Sequence, residues 1–74
     1  MGAVINESDQ KYAFRVAYEF LKQHNNILTK PEEYKKLADD MSNAFAQYKD
    51  NPLACRLISG VFDYIGSESE NAGK

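Results

Sequence analysis

The 74 residues include one cysteine, one histidine and no tryptophan. A lone Cys55 excludes an internal disulfide and cannot by itself build a zinc site. It fits a reducing compartment, and a cytoplasmic location is expected. A lone His24 leaves general-base chemistry without an orienting partner or a neighbouring nucleophile in the sequence. At a helix C-terminus its ordinary role is to suit the dipole. The four glycines, at positions 2, 60, 66 and 73, are too scattered for a phosphate-binding loop. No apolar run approaches the roughly 20 residues of a membrane span. The N-terminus lacks a basic region followed by an apolar core, so no secretion signal is expected. Met1-Gly2 opens like a myristoylation start, but Asn6 stands where that motif wants Ser or Thr.

An excess of one charge is missing too. The net charge of -2 argues neither for polyanion mimicry nor for attraction to nucleic acid. Asp39 and Asp40 are neighbours, and on a helix they point about 100° apart, so they form no carboxylate dyad. Asp50-Asn51 lacks the loop and further ligands of a calcium site. No catalytic residue, metal or cofactor is expected, and no enzyme.

What the chain has is helical patterning. With 43% hydrophobic and 27% charged residues it is not a disordered composition. Asn51-Pro52 is a strong helix start, with Asn51 as N-cap and Pro52 at the first helical position. Ala54, Leu57, Ile58, Val61, Phe62 and Ile65 then share one broad face. Arg56, Ser59 and Asp63 cluster opposite, and Gly66 is placed to end the helix in a left-handed conformation. A glycine inside a helix costs close to 1 kcal/mol against alanine. Gly60 is therefore expected to mark a close helix crossing, with a hinge as the alternative.

The first helix is expected from a cap at Asn6 or Ser8 to about Gln23 or His24. Phe14, Ala17, Tyr18 and Leu21 form its central stripe. Ile27 and Leu28 plug one end of the core. Thr29-Lys30-Pro31-Glu32 fits a capping box, with Thr29 as cap and Glu32 reaching back. Tyr34, Leu37, Ala38, Met41, Ala44 or Phe45, and Tyr48 carry the helical period of the second helix. Its outer face pairs opposite charges four apart and reads as solvated.

The apolar arc of the first helix is wider than two neighbours require. Tyr12, Val16 and Phe20 extend it on one flank. They are expected to face a protein partner or a second copy, with Arg15 and Glu19 on the rim, since aromatics are preferred interface anchors. Nucleic acid is disfavoured. A recognition helix exposing Arg56 beside Asp63 is a poor groove reader, and Lys11, Arg15 and Lys22 are interrupted by Glu19. A weak DNA-associated, helix-turn-helix-like regulator stands as the alternative.

Tyr18-Glu19-Phe20-Leu21-Lys22, then Pro31-Glu32-Glu33-Tyr34, then Tyr48-Lys49 before Pro52-Leu53 make up a pattern from Ala13 to Ile65. It resembles a group of small uncharacterised helical proteins from prophages and mobile elements of Gram-positive bacteria. Tyr34 stands where that group commonly has tryptophan, and Tyr-Lys replaces Lys-Tyr. The resemblance implies a small accessory or host-interaction protein and carries over no functional residue.

The expected fold is therefore all-α, a compact three-helix bundle over about 7–24, 30–49 and 52–65. It forms one domain, 1–66, with a flexible N-terminal arm and a disordered polar tail, 67–74. At this size a core supplies only about 3–5 kcal/mol of net stability, so a second copy or a partner can contribute. The expected function is a non-enzymatic protein-interaction or accessory module, self-associating through the first helix as a homodimer.

Overall fold

A computed structural model describes residues 6–72. Three helices make up an all-α bundle, as the spacing predicts: α1 (Glu7–His24), α2 (Pro31–Gln47) and α3 (Pro52–Ala72). The arm at Met1–Ile5, including Val4, Ile5 and the Met1-Gly2 start, lies outside the described residues, as do Gly73 and Lys74.

Each helix start is fixed by a side chain that satisfies orphan backbone groups. Asn6, not Ser8, caps α1: its Oδ1 accepts from the Ser8 amide at 2.9 Å and the Asp9 amide at 3.3 Å. Asn51 Oδ1 accepts from the Ala54 amide at 3.2 Å and caps α3. The box opening α2 is shifted one residue from the expected position. Lys30 is the N-cap, and it is Glu33 rather than Glu32 that reaches back. Its Oε1 accepts from the Lys30 amide at 3.0 Å, the Thr29 amide at 3.2 Å and the Thr29 hydroxyl at 2.9 Å. Extended backbone at Lys30 is what proline at the next position demands.

Two long-range hydrogen bonds set the arrangement. Asn51 Nδ2 donates to the Asp9 carbonyl at 3.1 Å, and the Leu28 amide donates to Ser69 Oγ at 2.8 Å. The sequence separations are 42 and 41 residues, so α1 and α3 run parallel and in step. A residue on α1 lies level with the one about 41 further on. Ala13 is thus level with Ala54, both fully buried, and Ala17 with Ile58. Small side chains at this seam let the two helices pack closely. α3 is the central helix: α1 packs on it most, α2 less, and α1 and α2 barely approach each other. Val16, Ala17, Phe20, Leu37, Ala44, Ile58 and Ile65 form the core cluster, with Leu28 packed on its edge. Ile27 is about half exposed instead of plugging the core.

Three expectations need correction. The buried face of α1 is Ala13, Val16, Ala17 and Phe20. Phe14 and Tyr18, placed above in the central stripe, are 59% and 60% exposed, while Phe20 is 7% exposed. Two apolar sets at three- and four-residue spacing overlap on α1 and share Ala17. The set containing two alanines wins the seam, because a Phe14 or Tyr18 ring there would hold α1 away from Ala54. Secondly, Gly60 marks no close crossing: a Cβ built there meets nothing within 4 Å. Thirdly, α3 does not stop at Gly66. No glycine has a positive φ among the described residues, and residues 67–72, expected as a disordered tail, are helical. Ser69 continues the buried face one turn beyond Ile65 and is only 4% exposed. Its bond to the Leu28 amide satisfies both groups, and a hydrophobicity pattern does not register a buried serine.

Two outcomes follow from these contacts. Phe20→Ala should cost about 3–5 kcal/mol, enough to unfold most of a bundle this small. Phe14→Ala in dilute solution should stay within about 0.5 kcal/mol. Urea unfolding of both variants checks the rotation of α1, and equal losses would contradict it. The Thr29 hydroxyl bond, first, and the backbone bonds to Glu33 hold its carboxyl below the usual carboxylate range. The folded state thus favours the carboxylate, so this contribution is full at neutral pH and fades as pH falls through the lowered pKa. Thr29→Ala should bring the Glu33 titration back up. An NMR titration of the Glu33 side chain reads this directly, and an unmoved midpoint would remove the hydroxyl as the cause.

Candidate functional site

Because α1 and α2 both lean on α3 and scarcely on each other, a groove of about 650 Å³ opens between them. Its floor is apolar: Val16 and Phe20 from α1, Ala44 from α2 and Ile58 from α3. The α1 rim carries Tyr12, Arg15, Glu19, Gln23 and His24. The α2 rim carries Asp40, Asn43, Gln47 and Tyr48. All five residues expected to bind a partner, Tyr12, Arg15, Val16, Glu19 and Phe20, therefore line one groove. Their roles differ from the expectation. Val16 and Phe20 are buried floor and not an outward patch, because they belong to the α1 face that packs into the bundle. Tyr12 is about half exposed, and its ring meets Tyr48 edge-on with centroids 6.0 Å apart. Arg15 and Glu19 are exposed.

Side chains bridge the groove at both ends. Tyr12 and Tyr48 close one end. At the other, His24 Nε2 lies 3.3 Å from Asp40 Oδ2, and the His24 ring packs 4.6 Å from that of Phe20. Lys36 reaches the same Asp40 oxygen at 3.1 Å from the preceding turn of α2. His24 is thus an inter-helix contact as well as a C-terminal residue.

Among the described residues no serine, threonine or cysteine lines the groove beside the His24 imidazole. Cys55 lies between α2 and α3, its thiol donating to the Tyr48 carbonyl at 3.4 Å. Among the described residues no three His, Cys, Asp or Glu side chains gather to hold a metal, and no helix is long and apolar enough to cross a membrane.

The opposite flank of α1 holds what the sequence analysis missed. Phe14 and Tyr18 stand outward there, and Tyr64 of α3 is 54% exposed. Leu53, Leu57, Gly60 and Tyr64 repeat at spacings that put them on one side of α3. That side borders α1: Gln10 shares a surface cleft with Leu53 and Arg56, and Asn25, Asn26 and Ile27 share another with Tyr64. The available signal was the seven-residue return from Leu53 to Gly60 and from Leu57 to Tyr64, alongside a second apolar face.

Compared with family models, curated proteins and solved structures, the chain matches none.

Asp40→Asn should cost no more than about 1 kcal/mol, since both bridges are partly exposed. A urea-measured loss above about 3 kcal/mol would mean that this cluster, and not packing on α3, holds α1 and α2 in place.

Proposed function

We propose that this protein is a non-enzymatic interaction module that binds a segment of a partner protein in the groove between α1 and α2. One observation carries the proposal: α1 and α2 stand apart along a groove of about 650 Å³ whose walls are polar side chains of both helices over the buried Val16, Phe20, Ala44 and Ile58. A closed bundle would fill that space with its own side chains. An amphipathic helix laid in the groove would make a fourth member of the bundle, its apolar side on the floor. Arg15, Glu19, Gln23, Asn43 and Gln47 then supply a polar rim of both signs, which favours register and orientation over bulk affinity. Such a role accords with the accessory, partner-contacting protein that the prophage resemblance implies. The same chemistry disfavours nucleic acid, because the rim carries Arg15 as its one fixed cation beside Glu19 and Asp40.

A display selection of helical peptides against the protein tests this. The selected peptides should be amphipathic. They should shift the NMR signals of Val16, Phe20, Ala44 and Ile58, and lose about tenfold or more in affinity to an Arg15→Glu/Glu19→Lys variant. Peptides that bind both proteins equally, or shift only residues outside the groove, would contradict the assignment.

A further inference from the structure

The strip along the outer α1/α3 seam is a second apolar surface, on the far side of α1 from the groove. Three rings, Phe14, Tyr18 and Tyr64, are each more than half exposed there. With rings of ~150–250 Å² apiece they leave roughly 300 Å² of aromatic surface in water. Leu21, Leu53 and Leu57 lie between and beside them, half-buried. Gly60 sits in the middle, level with Tyr18 by the constant offset of α1 on α3. Nothing among the described residues explains this glycine. It has no positive φ, no atom lies where its Cβ would stand, and it weakens the helix by about 1 kcal/mol relative to alanine. Its effect is to leave a shallow depression between two tyrosines.

We propose that this strip is an isologous interface with a second copy of the chain, the two-fold axis running along the helices. Under that symmetry the α1 side of each copy lies over the α3 side of the other. The Tyr18 ring of each copy then meets the depression at Gly60 of the other, because the two are level. The edges complement each other where they are also level: Lys22 on the α1 edge faces Asp63 on the α3 edge of the second copy, twice per dimer. Lys22 already sits 5.4 Å over the Tyr18 ring, so it is placed at the interface margin. At the other end Arg15 is level with Arg56, which offsets that gain, so ring burial carries the affinity and the two-fold axis itself fixes the register. The three rings supply somewhat under half of the ~800 Å² per partner of a standard interface, and the half-buried leucines add to them, so the dimer is a weak one. The groove between α1 and α2 stays open in this dimer, one on each copy.

Sedimentation equilibrium of the full chain, from about 1 µM to about 1 mM, tests the proposal. The wild type should approach twice the monomer mass of 8.4 kDa within that range. Tyr18→Glu and Gly60→Glu alter exposed helical positions and should keep the circular dichroism of the wild type. Each should weaken association by about 100-fold or more. The groove-rim variant Glu19→Lys/Gln47→Glu, which alters no residue of the strip or its edges, should remain dimeric, which separates this surface from the proposed peptide site. A wild type that stays monomeric at the highest concentration overturns the proposal and leaves the strip to a different occupant. So does a dimer that ignores both strip variants, or one lost only in the groove variant.

Discussion

α1 and α3 meet through alanines, and the rest of the molecule adjusts to that contact. Ala13 and Ala54 are fully buried at the same level, and a pair of hydrogen bonds holds the register at either end. Asn51 joins the start of α3 to the Asp9 carbonyl, and Ser69 joins its end to the Leu28 amide. Each polar group does two jobs. Asn51 also caps its own helix, and Ser69 satisfies a loop amide that would otherwise be stranded beside the core. Parallel helices need a long return, and α2 supplies it by packing back across α3.

Once α1 lies flat on α3, its remaining apolar residues have only two places to go. Toward α2 they become the floor of a groove, because α2 is held off α1 and touches it mainly through side chains at the groove ends. Away from α2 they have no cover among the described residues, and Phe14, Tyr18 and Tyr64 stand in water. A bundle of this size has little stability in reserve. The groove floor is already buried, so the uncovered apolar surface is the outer strip; it is costly to maintain in a lone monomer, and that cost is the physical reason to read the strip as a place for another chain.

Much of the fold was legible in the sequence. Asn51-Pro52 located the start of α3, and the Tyr34-to-Tyr48 period located α2, because both rest on local chemistry. The rotation of α1 was not legible. Helical spacing accommodates Ala13/Val16/Ala17/Phe20 and Phe14/Ala17/Tyr18/Leu21 equally well, and only the closeness of the α3 seam decides between them. The last two turns of α3 were hidden for a related reason: Ser69 holds its buried position through a hydrogen bond to a residue 41 positions away in sequence. The five residues chosen as partner-binding did fall together, since they share one flank of α1. Which of them are floor and which rim depended again on the rotation.

Both surfaces depend on which face of α1 meets α3, and methyl NOE spectroscopy reads that most directly. We predict a strong cross-peak between the methyls of Ala13 and Ala54, with Phe14 and Tyr18 ring protons showing none to Ala54 or Ile58 in dilute protein. Strong contacts from Phe14 or Tyr18 to those two methyl-bearing residues would rotate α1 by about 100°, the angle between successive helical residues. The groove floor and the outer aromatic strip would then both be lost.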